Sequence, residues 1–371
     1  MQSTKAIIHL NNLRRNIEAA RKIIGPHPKI CLAVKADGYG HGAVNISLCA
    51  LEAGVEYLSV SSVSEAAELR VIGITAPILL LSQTQPEELP HIASMDLIPM
   101  VSDADFIDEI AGAAEHAKKQ ITVHLKVDTG MGRLGCHPED AVSLAVKIVS
   151  NKNLCLGGVA THLSVAESLK PEDIVYTKEQ LRKFKDTVAS IKGAGIETGI
   201  VHAANSGALV YHEDSYFDMI RPGLFLYGYL PASGKDKAGL PLVEPVMELQ
   251  SKVVFIKKVK KGSCISYGRT WKAPEDTFVG VLPVGYADGF PWKLSNNHSV
   301  FIRDKSYPMI GQICMDQCMV NLGPELKVNR WDKAVLFGPG FITAADMAET
   351  LQALPYEIFC GLNKRVPREY I

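Results

Sequence analysis

Short apolar runs bounded by glycine or polar clusters alternate with helix-period segments through the first part of the chain. Runs near 30–34, 57–60, 78–82, 96–101, 121–128, 156–163, 198–204 and 217–221 are rich in branched residues and read as buried parallel strands. A short strand over 5–10 comes first, with Asn11 or Asn12 placed to cap the helix in which Leu13, Ile17, Ala20 and Ile24 recur. Residues 62–72 open with Ser62-Val63-Ser64-Glu65, a capping-box pattern, and 103–117, 138–150 and 177–193 are the other clear helices. Strands alternating with helices in this way predict an α/β fold, a (β/α)8 barrel over residues 10–233, with a doubly wound open sheet as the alternative on pattern alone.

The texture then changes. Residues 231–241 read as a linker, and 245–260, 263–267, 277–284, 298–303, 307–320 and 333–337 read as strands, with only 342–353 helical. A mostly-β C-terminal domain over 236–371 is expected, with the strand within residues 1–9 joining it.

Composition narrows the partners. The 371 residues are 47% apolar with net charge −1, so there is no basic footprint for nucleic acid or an anionic membrane. No apolar run approaches the ~20 residues needed to span a bilayer. The N-terminus lacks a signal-peptide layout, so a cytoplasmic location is expected. The eight cysteines include no Cys-x-x-Cys pair, so no metal site is expected and the thiols should be reduced. Cys314 and Cys318, placed on one strand, would share a face.

Candidate chemistry gathers at the predicted strand ends, where barrel enzymes keep their reacting groups. The run Ile30–Val34 stops at Lys35, followed by Gly38, Tyr39, Gly40, His41 and Gly42. A lysine there is partly desolvated, which lowers its pKa and frees an amine for Schiff-base chemistry. A snorkelling lysine beside a glycine turn fits the local pattern equally well. Arg133, His162, His202, Asn205-Ser206-Gly207 and Arg221-Pro222-Gly223 lie at the ends of later strands. Loops after the seventh and eighth strands often hold phosphate, and Ser206, Gly223 and Leu224 lie in them.

The motifs Ala33-Val34-Lys35-Ala36-Asp37-Gly38-Tyr39-Gly40-His41-Gly42, His124 to Gly135, Thr161-His162, His202-Ala203-Ala204-Asn205-Ser206 and Ile220-Arg221-Pro222-Gly223 stand in the order found in the alanine racemases. So do Ser266-Tyr267-Gly268-Arg269-Thr270, Val284-Gly285-Tyr286-Ala287-Asp288-Gly289, Ile313-Cys314-Met315-Asp316 and Pro355-Tyr356-Glu357. In order and across both domains, they identify the chain as similar to this fold-type III, pyridoxal 5'-phosphate-dependent family of isomerases. The resemblance implies interconversion of L- and D-alanine, with D-alanine supplied for peptidoglycan. Lys35 would carry the cofactor as an aldimine and serve one face of Cα, and Tyr267 from a partner subunit the other, so that the active site is shared within a homodimer. Arg221 would face the pyridine nitrogen, with His162 holding it. Tyr39, Asn205, Ser206, Gly223, Leu224 and Tyr356 would bind the cofactor, and Arg133 and the Met315 backbone the substrate carboxylate. Lys126 matches a lysine often carbamylated in the family, with plain lysine paired to Asp128 as the alternative. Phe290-Pro291-Trp292-Lys293 and Gln312 depart from the family's basic entryway positions. A racemase of another small amino acid such as serine, a fold-type III decarboxylase, and a non-catalytic cofactor carrier are the competing readings.

Overall fold

The computed structural model describes residues 3–231 and 242–371, and the chain divides into two compact units. One comprises Leu13–Gly38 and Ala43–Val243, the other Met1–Asn12, Tyr39–Gly42 and Glu244–Ile371. The predicted linker falls almost wholly on 232–241, outside the described residues.

After strand β1 (Lys5–Ile8), the first unit carries eight strands: β2 (Lys29–Ala33), β3 (Tyr57–Val60), β4 (Ile78–Leu80), β5 (Leu97–Val101), β6 (Ile121–Lys126), β7 (Leu154–Ala160), β8 (Ile200–His202) and β9 (Met219–Ile220). They pair in parallel in chain order, and β9 pairs back onto β2. Between β8 and β9 the ring is drawn together by Asp218 N to Val201 O at 3.0 Å and Arg221 N to Ala204 O at 2.8 Å. Parallel pairing needs crossovers, and those between successive strands carry helices, the longest being Pro171–Gly193. The expected (β/α)8 barrel is therefore present, and the open sheet is excluded. Inside it, Cys31, Leu79, Met100, Ala160 and Met219 form one buried cluster flanked by Tyr57, Ile98 and Ile200. Their neighbours Ile30, Leu32, Leu58, Val60 and Leu80 are buried as well, as expected of strands covered on both faces.

Helix ends follow local chemistry. Asp103 accepts from the Phe106 amide to open Ala104–Ala117, and Ser62 accepts from the Glu65 amide to open Val63–Val71. The first helix begins at Leu10, so Asn11 and Asn12 lie inside it rather than capping it. Asn12 instead donates to Pro245 O at 2.8 Å.

The second unit holds β10 (Met247–Lys252), β11 (Phe255–Val259), β12 (Cys264–Ile265), β13 (Trp271–Lys272), β14 (Thr277–Leu282), β15 (Ser299–Ile302), β16 (Lys305–Pro308), β17 (Cys318–Gly323), β18 (Lys333–Phe337) and β19 (Arg368–Tyr370). A six-stranded sheet runs β16-β15-β18-β10-β1-β19, beside a three-stranded sheet β11-β14-β17 and the hairpin β12-β13. The mostly-β texture is as expected, but its boundaries are not. The run 245–260 breaks into β10 and β11, which belong to different sheets. The run 307–320 breaks at Gly311, whose φ of +72° interrupts extended backbone, so Cys314 lies in a loop rather than on a strand with Cys318. A short helix over Pro355–Cys360 follows the expected one, opened by Glu357 Oε1 accepting from Leu354 N at 3.0 Å.

Candidate active site

Lys35 follows the end of β2, where Ala33 and Val34 are buried and the lysine itself is half-buried. The turn after it is left-handed: Ala36, Asp37 and Gly38 take φ/ψ of 51/50°, 55/48° and 60/43°. Each non-glycine residue in that region costs roughly 1–2 kcal/mol, so the surroundings must hold the turn. Gly38 N donates to Val34 O at 2.7 Å, Asp37 Oδ1 accepts from Ala43 N at 2.9 Å, and Ala36 N donates to Glu65 Oε1 at 2.7 Å. Behind it, the buried Tyr227 hydroxyl donates to Ala33 O at 2.9 Å.

The ends of β6 to β9 carry a polar chain. Arg221, fully inside the barrel end, donates through Nη1 to His202 Nδ1 at 2.6 Å and through Nη2 to Thr161 O at 2.7 Å. Guanidinium has no acceptor, so His202 Nδ1 is the acceptor and its proton sits on Nε2, which donates to His124 Nδ1 at 2.8 Å. Burial, then the Arg221 charge, pushes His124 down to about 3 and His202 well below its ordinary value. Both rings are neutral. Burial lowers Arg221 to about 10, which still leaves it charged at neutral pH. The β6/β7 register shifts between Val123 and His124, leaving Gly157 unpaired. A side chain at Gly158 would come within 2.6 Å of the His124 ring, so the glycine makes room for it.

Arg221's partner is therefore His202, not His162. His162 is half-buried at the same end of the barrel, where burial and the charges of Arg221, Lys126, Arg133 and Lys35 hold it down at about 3. Lys126, only 7% exposed, is lowered to about 8 by burial, then by Arg221 and Arg133. Asp128 Oδ1 accepts from the amides of Gly130, Met131 and Gly132 at 2.9, 2.8 and 3.1 Å, which overcomes its partial burial and lowers its pKa. That nest shapes the loop bearing the exposed Arg133.

Ser206, 6% exposed, ties the loops after β8 and β9: its Oγ accepts from Gly223 N at 3.0 Å and Phe225 N at 3.2 Å. Leu224 lies between those two amides. Asn205 is occupied structurally, its Oδ1 capping the helix Ser206–Tyr211 at Ala208 N and its Nδ2 donating to Leu163 O. Lys35, Lys126, Arg133, His162, Ser206, Arg221, Gly223 and Leu224 thus all belong to the barrel unit.

In the other unit Tyr39 and Tyr356 meet edge to face, with centroids 5.3 Å apart at 72°. Burial raises the Tyr39 phenol, and Tyr356 and Cys360 add to the effect. Tyr267 stands 72% exposed in a turn whose preceding residue, Ser266, has φ 66° and ψ −177°, a region essentially reserved for glycine. Ser266 Oγ donates to Gln312 O at 2.6 Å, and Gly311 makes room for it, since a side chain there would meet Ser266 Cβ at 2.7 Å. The loop after Gln312 is held by Ala287 N to Met315 O at 3.0 Å, and Met315 is 53% exposed. Arg365 bridges Asp288 and Asp316 at 2.9 and 2.7 Å, bracing the same loop.

His202 stands among the strand-end candidates, whereas His124 is the member of the constellation that sequence reasoning does not single out. The signal lies in Gly157-Gly158, a glycine pair inside a strand, which marks a close approach. No group of His, Cys, Asp and Glu able to hold a metal occurs among the described residues, and no helix there is long and apolar enough to cross a membrane.

Comparison with known proteins accounts for both units. Residues 8–231 match the family described as alanine racemase, N-terminal domain, and 246–370 match alanine racemase, C-terminal domain. The chain is 47% identical over 377 residues to an alanine racemase of Treponema denticola, covering 100% of this chain and 99% of that one. It is 43% identical over 379 residues to an alanine racemase of Treponema pallidum, covering 100% of both. The solved alanine racemase of Clostridium difficile 630 superposes with a TM-score of 0.94 at 34% identity, over 100% of this chain and 96% of that one. The chain belongs to the alanine racemase family.

Proposed function

We propose that this protein interconverts L- and D-alanine with pyridoxal 5'-phosphate bound through Lys35, Lys35 and Tyr267 of a partner subunit moving the proton on opposite faces of Cα. The observation that carries the reading is the set of basic side chains at one end of the barrel, Lys35, Lys126, Arg133 and Arg221, whose charges add to burial in holding His162 low. Such a site suits a ligand that brings several negative charges, as a phosphorylated cofactor and a substrate carboxylate together do. Ser206, with the Gly223 and Leu224 amides beside it, and the Tyr39–Tyr356 pair would hold the phosphate; Asn205 contributes by fixing the Ser206 helix. When bound, the cofactor supplies an electron sink for the carbanion left at Cα.

The residues do the rest. Arg221 already donates to neutral His202 and can only donate, so it would leave a ring nitrogen placed against it unprotonated and would limit the sink. A weaker sink disfavours side reactions such as transamination while a proton swap at Cα stays accessible. That same charge argues against the decarboxylase reading, in which an acid takes this position. Arg133 would pair with the substrate carboxylate, and the Met315 backbone would add a second contact. Lys35 takes or returns the proton on one face and Tyr267 on the other. Tyr267, Tyr286, Trp292 and Met315 are large apolar side chains left exposed in the second unit, which burial against a second copy of the chain would cover. Buried Lys126, shifted to about 8, keeps on the order of one-tenth of its amine unprotonated at pH 7 and so can add CO2, losing a proton to form a carbamate whose charge the Arg221 and Arg133 cations would favour. In this reading the enzyme is cytoplasmic and supplies D-alanine for peptidoglycan.

Incubating the purified protein with L-alanine and measuring the product with D-amino-acid oxidase tests the assignment. D-alanine should form with wild type and not with Lys35→Ala, which should also lose the visible absorbance of bound cofactor. A variant that keeps both would overturn the role of Lys35.

A further inference from the structure

The capping-box pattern at Ser62-Val63-Ser64-Glu65 is only half used. Ser62 Oγ accepts from the Glu65 amide at 3.3 Å, but the Glu65 carboxylate does not return to the Ser62 amide. Its Oε2 accepts from Ser61 N at 2.7 Å, and its Oε1 reaches across to Ala36 N, also at 2.7 Å. One carboxylate thus joins the loop after β3 to the first left-handed residue after Lys35. We propose that Glu65 is the positioning residue that aims Lys35, an inference that rests on the proposed role of that lysine.

Ala36 and Asp37 both hold positive φ with no glycine to make it easy, so the segment relaxes toward ordinary backbone unless its amides are engaged. Of the bonds that hold it, the one to Glu65 is made by the residue adjacent to Lys35 and comes from an element outside the turn. A carboxylate accepting from two backbone amides is short, charge-assisted and directional. The glutamate sits in the first turn of the helix Val63–Val71, so its position is fixed by a whole helix rather than by a loop. Glutamine at 65 offers one oxygen for two donors, aspartate is a methylene too short to span both, and alanine offers nothing.

Hydrogen exchange of the full-length protein reads the tether directly. In Glu65→Ala the Ala36 and Ser61 amides should exchange about tenfold or more faster, while strand amides such as Leu32 keep their protection. The rate at which pyridoxal phosphate becomes trapped on Lys35 by borohydride should fall about tenfold or more, and kcat should fall in proportion with KM for alanine little changed. Glu65→Gln should lie between. Ser62→Ala is the control: it removes the cap bond of the same helix without touching Ala36, and should lower stability while leaving the trapping rate alone. Unchanged Ala36 exchange in Glu65→Ala, or equal slowing by Ser62→Ala, overturns the proposal. Absence of any trapped adduct on Lys35 of the wild type overturns the functional reading and this inference with it.

Discussion

Replacing His202 by leucine removes the acceptor that Arg221 meets at 2.6 Å and the donor that His124 meets at 2.8 Å. All three side chains are buried, so water cannot replace either bond. Removing one partner of a buried charged interaction costs about 3–5 kcal/mol. Arg221 keeps Thr161 O and Ala203 O, which puts the expected loss at the lower end, about 3 kcal/mol. For a unit the size of this barrel each kcal/mol lowers Tm by about 2–4 °C, so a drop of roughly 6–12 °C is expected. His202→Gln offers a carbonyl oxygen to Arg221 and an amide N–H to His124, and should lose half of that or less. Thermal unfolding of the two variants beside wild type measures both. Equal melting of His202→Leu and His202→Gln would refute the idea that the three-residue chain is a hydrogen-bonded unit.

Other expectations follow from the same geometry. His124, His162 and His202 are held neutral when folded, with pKa values below the ordinary 6.5, so the unfolded chain binds more protons in mild acid. Their contribution is present above pH 6.5 and is lost as pH falls from there toward 3, by about 1.4 kcal/mol per pH unit for each. Because that slope is fully reached only about one unit below 6.5, urea unfolding should show a total loss of about 1.4 kcal/mol per histidine between pH 7.5 and 5.5, less in His202→Gln, and a flat profile would contradict it. Crystallographic density at saturating bicarbonate should show a carbamate on Lys126; a bare amine would reject it. Mixing Lys35→Ala with Tyr267→Ala subunits should restore part of the activity each lacks alone, and no recovery in verified mixed dimers would sink the shared site.

The barrel was legible because its signals are local. Ile30–Val34 and the runs like it are buried on both faces, so their boundaries appear as changes from apolar to polar residues. Lys35 was visible for the same reason, standing where such a run stops. The left-handed turn was only hinted at by Asp37 and Gly38, which tolerate positive φ, since Ala36 adopts it without any residue preference for it. In the second unit the apolar texture continues through Tyr307–Val320, and the break at Gly311 is held by tertiary contacts, Asn296 Oδ1 on the Gly311 amide and Ser295 Oγ on the Ile313 amide. The exchange of His162 for His202 as the partner of Arg221 has a similar origin. His202 is the last residue of β8 whereas His162 lies two residues past the end of β7, and which one reaches the guanidinium depends on barrel closure between β8 and β9. The capping box shows the converse: the pattern located the helix start correctly, while its glutamate turned to a neighbour that no local window contains.

The most direct test of the two-base account is incorporation of solvent deuterium at Cα of each enantiomer by Tyr267→Phe. Phenylalanine keeps the ring in the strained turn after Ser266 and removes only the hydroxyl. Exchange into one enantiomer should fall by about 10²–10⁴-fold, the contribution of a positioned base, while exchange into the other, served by Lys35, is far less affected. Equal loss from L- and D-alanine would contradict the assignment of Lys35 and Tyr267 to opposite faces.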